Sequence, residues 1–502
     1  MRLPVSALLA SLLSLCAPAI QAQQEPTALK AVAPFHASQS LTMELKNARW
    51  FDGKGFQRGS LFVVDGQFVA SRPAKVHRHM ELRGQYLVPP LAEAHNHNLQ
   101  NQWGWDRFAQ RYIQDGVFYT AMLCGDPSEV DPLRPLAALD ATPDTLFVTA
   151  CITSSDGHPL AMLTGPTGPD GKSELPASDF IDKAVIVMDN PQQVRDKWQL
   201  VMGRKTDLIK VVMSYSEHPE LHQKPELRGK LGVDAATLAA IVRKAHESKL
   251  RVAVHVDSVA DFEAAVNAGA DQIAHLPGYF NHHGADPDTY LIPPELARRA
   301  AQARIQVITT TAATQLFQAE PERLNRIRAV QQQNLRQLKE AGVALLLGSD
   351  VFTATALAEW HSLDALKVLE PAELLRIATV DTPRALFPQR RLGCFEPGCE
   401  ASFLVLAGNP LEDAAALDLP LLRVKRGRIL TQSEQVAEST EREQALASGK
   451  AAGGAKKKGA KSAKGGGKNT KAGAAKGKSG GTKAASKPTA KSAVKKATAS
   501  KR

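Results

Sequence analysis

From Leu41 to Val69 the chain alternates apolar and polar residues in short runs, LTMELKNARWFDGKGFQRGSLFVVDGQFV, with Gly and Asp-Gly turns between them. Alternation with a period of two, punctuated by such turns, predicts short antiparallel strands. The same texture returns from Arg391 to Leu430, in RLGCFEPGCEASFLVLAGNPLEDAAALDLPLLRVKRGRIL. These two β-rich flanks, residues 41–85 and 391–432, are expected to pair into one small β-sandwich domain.

Between the flanks, over residues 86–390, the pattern changes. Short apolar runs alternate with amphipathic helical stretches, as in βα units around a parallel sheet. The strand candidates are YLVPPLAEA, VFYTAML, LFVTACIT, DLIKVVM, RVAVHV, QIAHL, IQVITTT and VALLLGS. Helical stretches such as DAATLAAIVRKAHESK and DFEAAVNAGAD separate most of them, and Gly269 is well placed to end the second. Eight such units predict an α/β protein with a (β/α)8 TIM barrel, whose site lies at the C-terminal ends of its strands. A doubly wound sheet is the alternative, but no glycine-rich phosphate loop follows the first strand.

Charge changes the picture at one end only. The formal net charge is +11, yet residues 450–502 carry 17 Lys and Arg and no acid, so removing 17 from +11 leaves −6 upstream. The body is mildly acidic, which argues against a nucleic-acid-binding fold. Residues 448–502 are Lys/Ala/Gly/Ser low complexity and are expected to be disordered, a solvated tail able to contact a polyanion. At the other end, Arg2 followed by LPVSALLASLLSL and small residues up to Ala22 reads as a signal peptide over residues 1–22. Cys16 leaves a lipoprotein alternative open. The mature chain is then exported, with the periplasm as the expected compartment and no membrane span.

In an oxidising compartment cysteines can pair. Cys394 and Cys399 bracket the turn FEPG, and Cys124 and Cys151 end successive apolar strands. Each pair can be a disulfide or two free thiols.

Polar residues late in the apolar strands supply the candidate chemistry. His95 and His97 end the first strand candidate, Lys210 lies in the fourth, His255 in the fifth, His275 in the sixth, and Asp350 follows the eighth. Side chains two apart on a strand share a face, so His95 and His97 can grip one ion. Alone, each of these residues also suits a surface or structural role. Together they place imidazoles, a carboxylate and an amine at one mouth, a donor set for Zn²⁺ or a similar ion. His158 in SSDGHP, Tyr215, and His282 and His283 suit either substrate contact or plain loop positions.

In these motifs the chain resembles the amidohydrolase superfamily, within its imidazolonepropionase- and prolidase-like branch. The resemblance rests on H-x-H at His95 and His97, DLIK at Lys210, the single histidines His255 and His275, GSD at Asp350, and the segment VHVDSVADFEAAVNAGADQIAHLPG. It spans about residues 41–432. It implies a first ion on His95, His97 and Asp350, a second on His255 and His275, and a carboxylated Lys210 bridging two Zn²⁺. It further implies that Asp350 shuttles a proton, with His158 near the substrate. The sequence departs from the family pattern in PPLAEAH, where Pro90 and Glu93 replace a glycine and an aspartate, and in ASFLVL, where Ser402 replaces an acid.

The expected function is hydrolysis of a C–N bond in a small amide, dipeptide or cyclic amide. A mononuclear deaminase or ring-opening hydrolase, and a catalytically weakened exported binding protein, are the alternatives.

Overall fold

Residues 32–165, 175–279, 286–316 and 320–432 are described by the computed structural model, and the signal segment and basic tail lie outside them. The first flank gives β1 (Phe35–Ala37), β2 (Met43–Phe51), β3 (Phe56–Val64), β4 (Gln67–Val69), β5 (Arg78–Glu81) and β6 (Tyr86–Val88). The central region gives β7 (Leu91–Asn96), β8 (Val117–Leu123), β9 (Asp144–Val148), β10 (Ala150–Thr153), β11 (Ile186–Val187) and β12 (Ile209–Val212). It continues with β13 (Val252–His255), β14 (Gln272–Ala274), β15 (Gln306–Ile308) and β16 (Ala344–Leu346). The second flank closes the series with β17 (Phe403–Leu406), β18 (Leu422–Lys425) and β19 (Arg428–Gln432).

The two flanks share one sheet of nine strands, in the order β1-β19-β18-β17-β6-β2-β3-β4 with β5 beside β2. Alternation puts Met43, Leu45, Val63, Phe68, Phe403, Val405 and Val424 into its own apolar cluster. The turn from β2 to β3 is fixed by Asp52, whose carboxylate accepts from the N–H groups of Lys54 and Gly55, both at 2.9 Å. Three expectations are corrected here. The flank begins earlier than residue 41, because Phe35–Ala37 pairs antiparallel with β19. Tyr86–Val88 does not open the first central strand but pairs with β17 and β2. Pro89 and Pro90 have no N–H to donate, so the ladder must break there and the chain changes sheets. The nine strands are also one hydrogen-bonded sheet, where a sandwich implies two.

The central region is mixed α/β with parallel strands. One sheet runs β7-β8-β9 and the other β11-β10-β12-β13-β14-β15-β16. Only Thr149 separates β9 from β10. At the other margin Ala94 N–H donates to Leu347 O at 2.8 Å, and Asp350 N–H to His95 O at 2.9 Å. The connecting helices follow their patterns. Ala235–Glu247 is capped by Asp234 and buries Leu238, Ile241, Val242 and Ala245. Val259–Ala268 starts with a capping box of Ser258 and Asp261 and ends at Gly269, with φ 75°, as its sequence implied.

A charged cluster ties the flank sheet to β9. The Lys425 ammonium donates to Asp144 Oδ1 at 2.7 Å and to Thr142 O at 2.6 Å. Arg390 and Arg426 bond Asp144 Oδ2 at 2.7 and 2.6 Å. A cavity of about 660 Å³ opens beside it, lined by Asp140, Arg390, Glu400, Arg426 and Arg428 among others, and it contains none of the candidate site residues. Both cysteine pairs are disulfides, Cys124–Cys151 and Cys394–Cys399. Among the described residues no helix is long and apolar enough to cross a membrane.

Candidate metal centre

The strand register gathers the expected residues at one end of the parallel strands. His95 is in β7 and His97 just beyond it. Lys210 in β12 lies opposite Cys151 of β10 and Ala253 of β13. His255 ends β13, and His275 follows β14 with φ 76°. Asp350 follows β16 with φ 51°, a left-handed backbone that turns its side chain back over the strand ends. Gly348 permits this approach. A Cβ there would lie 2.5 Å from Ile308 Cγ2 and 2.9 Å from the His95 nitrogen.

The polar atoms converge without forming a closed hydrogen-bond network. His95 Nε2 lies 3.2 Å from His97 Nε2 and 3.4 Å from the Lys210 Nζ. Asp350 divides its oxygens: Oδ1 is 3.5 Å from His95 Nε2 and 3.3 Å from His97 Nε2, while Oδ2 is 3.7 Å from His275 Nε2. The His275 Nε2 atom is buried with no hydrogen-bond partner. The His255 ring packs 4.4 Å from that of His275, and His158 stacks on His255 at 5.5 Å. Tyr215 is the exception. Its hydroxyl meets that of Tyr290 at 3.1 Å, in an apolar cluster with Val330. His282 and His283 lie outside the described residues.

Burial sets the protonation states. It holds His95 and His275 well below the ordinary imidazole value, and His97 at about 3, with the nearby Lys210 charge acting in the same direction. All three are therefore neutral at pH 7, the form that ligates metal. Burial also lowers the Lys210 amine to about 8 and raises the Asp350 carboxyl to about 6.

These donors fit a divalent ion. Bonds of about 2.0–2.1 Å in a tetrahedron put ligand atoms about 3.3 Å apart, and the spacings here run from 3.2 to 3.7 Å. His95, His275 and Asp350 offer ligand atoms all within 4.8 Å of one another. An orphaned, buried Nε2 aimed at a carboxylate is what a cation would satisfy. His275, expected with a second ion, thus shares its tightest grouping with His95 and Asp350.

Sequence reasoning missed several neighbours. Asp257 accepts from Ser214 Oγ at 2.5 Å and lies 3.4 Å from His255 Nε2. It stands two residues after His255, so the same-face spacing that singled out His95 and His97 would have found it. Tyr279 stacks on His275 at 4.2 Å, and Thr310 lies behind that ring, at Nδ1; neither has a linear signal. Glu93, noted only as a departure, is buried, and burial raises its carboxyl to about 8. It accepts from the Ser349 N–H at 2.6 Å and its hydroxyl at 3.2 Å, bracing the turn that carries Asp350.

The amidohydrolase family model matches residues 179–446, and the chain belongs to that family. It is accordingly a hydrolase of carbon–nitrogen bonds. No curated protein matches the sequence. Among solved structures, Aspergillus niger ochratoxinase aligns with TM-score 0.60 at 18% identity, over 78% of this chain and 96% of that one. A Xaa-Pro dipeptidase with methionine bound in its active site aligns with TM-score 0.59 at 17% identity, over 78% and 100%. Molinate hydrolase aligns with TM-score 0.59 at 16% identity, over 78% and 94%. At these identities the likeness is one of fold.

Proposed function

We propose that this chain is an exported metal-dependent amidohydrolase acting on a small amide, dipeptide or cyclic amide. The observation that carries the reading is Asp350, whose two oxygens face His95 and His97 on one side and the orphaned His275 Nε2 on the other. We infer that the two margins of the parallel sheets close into the expected (β/α)8 barrel, with this cluster at its mouth. His95, His97, His255, His275 and Asp350 would hold the metal, with Zn²⁺ the ion best matched to the donors. A divalent ion there supplies Lewis acidity, bringing the pKa of a water towards about 7.

The chain's own groups do the rest. Asp350 takes the proton from the attacking water and delivers it to the leaving nitrogen. Lys210 is buried beside His95, and its neutral amine can add to CO₂ and lose a proton, giving a carbamate that would bridge two ions. In this reading His158, stacked on His255, contacts substrate, and Tyr215, bonded to Tyr290, lies farther from the cluster as a second candidate contact. The dipeptidase likeness supports dipeptides as the first substrates to try. Two disulfides support export to an oxidising compartment, and the basic tail is assigned to polyanion contact.

The test is metal stoichiometry on the full chain beside Lys210→Ala. About two ions per chain, falling in the variant, support the bridged centre. One ion in both fits the deaminase or ring-opening reading, which the tight grouping of His95, His275 and Asp350 among the described residues favours. No tightly held metal sinks the catalytic account.

A further inference from the structure

His275 is held from behind. Its Nδ1 lies 2.7 Å from Thr310 Oγ1, and both residues are fully buried. On the other side of the ring, Nε2 has no hydrogen-bond partner and faces Asp350 Oδ2 at 3.7 Å. A neutral imidazole carries one N–H. On Nδ1 it donates to the Thr310 oxygen and leaves the Nε2 lone pair for the cluster. On Nε2 it would be a buried donor with nothing to accept it, which proteins avoid.

Thr310 occupies this place in a costly conformation. Its φ of 46° is left-handed, a genuine outlier for a β-branched residue, so the surroundings must enforce it. Glu359, buried in the helix Ala356–Leu366, does so. Its carboxylate accepts from Thr309 Oγ1 at 2.5 Å, the Thr311 N–H at 2.9 Å, Thr311 Oγ1 at 3.0 Å and the Ala312 N–H at 2.7 Å. The Thr310 N–H itself donates to Gly348 O at 3.1 Å. One carboxylate thus grips the turn on both sides of Thr310 while the threonine hydroxyl reaches the histidine.

We propose that Thr310 is a positioning residue that fixes the tautomer and orientation of His275, and that Glu359 is the clamp that holds Thr310 in place. The proposal rests on the reading of the cluster as a metal centre. Its consequence is that metal affinity depends on a hydroxyl and a carboxylate that touch no metal.

The experiment titrates cobalt(II) into metal-free, full-length protein. Affinity is read by chelator competition and the coordination by the visible spectrum. Four chains are compared: wild type, Thr310→Ser, Thr310→Ala and Glu359→Gln. Serine and alanine both lose the methyl group, and serine alone keeps the hydroxyl. Thr310→Ala and Glu359→Gln are expected to weaken binding about 10–100-fold and to change the spectrum, while Thr310→Ser stays close to wild type. Equal affinity in wild type and Thr310→Ala overturns the proposal. So does an equal loss in Ser and Ala, which would mean packing rather than the hydroxyl. If circular dichroism shows Thr310→Ala unfolded, Glu359→Gln decides, and unchanged affinity there overturns it. A wild-type chain that binds no cobalt overturns the metal reading beneath it, a separate failure.

Discussion

The backbone N–H of Asp350 donates to the carbonyl of His95 at 2.9 Å. The residue that follows the last central strand is thereby registered against the residue that gives the first its leading histidine. Two residues of the candidate cluster, 255 positions apart in sequence, are set against each other by one backbone bond, and the Asp350 carboxylate arrives with it. Asp350→Asn keeps the size and the backbone bond but removes the base. It is expected to fold normally and to lose about 10²–10⁴-fold in kcat. The measurement is turnover of the best substrate that a screen of small amides, dipeptides and cyclic amides finds for the wild-type chain. Unchanged turnover would remove Asp350 from the chemistry.

Metal removal should cost stability as well as activity. An ion that binds only the folded chain contributes about 2.7 kcal/mol when present at 100 times its Kd. Thermal melts in chelator, then in added Zn²⁺, should show Tm rising with zinc. In His95→Ala the rise should vanish.

Gly348→Ala tests the packing beneath the site. The added methyl would lie 2.5 Å from Ile308 and 2.9 Å from the His95 nitrogen, and the latter is backbone that cannot swing away. Overpacking of this kind costs about 1–3 kcal/mol. The variant should melt lower and hold metal less tightly. A variant matching wild type in both would show that the strand ends part freely.

Asp144 and Lys425 carry the junction of the flank sheet with β9. The lysine side chain is wholly buried against Asp144 at 2.7 Å. Asp144→Asn leaves that ammonium without its opposite charge, and breaking a buried ion pair costs about 3–5 kcal/mol. Denaturant unfolding of the variant should show a loss of that order.

The same pair sets an acid limit. Burial pushes the Asp144 carboxyl up, but Lys425, Arg426 and Arg390 outweigh it and hold it below the ordinary carboxylate value. A depressed carboxylate adds stability that is fully present above its unfolded value, about 3.9, and is lost as pH falls through the folded one. Stability measured downwards from pH 5 should therefore drop below about pH 4, and Asp144→Asn should flatten that drop.

Much of the site was legible in sequence because strands report their faces with a period of two. His95 and His97 declare themselves, as do Lys210, His255 and His275 late in apolar runs. Pro89 and Pro90 were read through, although a residue pair with no N–H must interrupt a ladder, and Tyr86–Val88 went to the wrong sheet as a result. Asp257 was legible by the same spacing and was overlooked. Thr310, Tyr279 and Glu359 were not. Their roles depend on contacts across tens of residues and on a left-handed backbone, neither of which leaves a local pattern. The clustering of His275 with His95 and Asp350 likewise emerges only when separate strands are brought into register.

The pairing of β1 with β19 joins Phe35 to Gln432. As the chain emerges, β1 and the outer edge of β6 must therefore wait, unpaired, while the parallel core is made, because β19 and β17 come only afterwards. Contacts this distant are slow to form. A chain cut short before residue 403 therefore has β2, β3, β4, β5 and β6 to pair with one another but nothing to pair with β1 or with the outer edge of β6. Such fragments would present bare strand edges, the feature that invites aggregation and degradation.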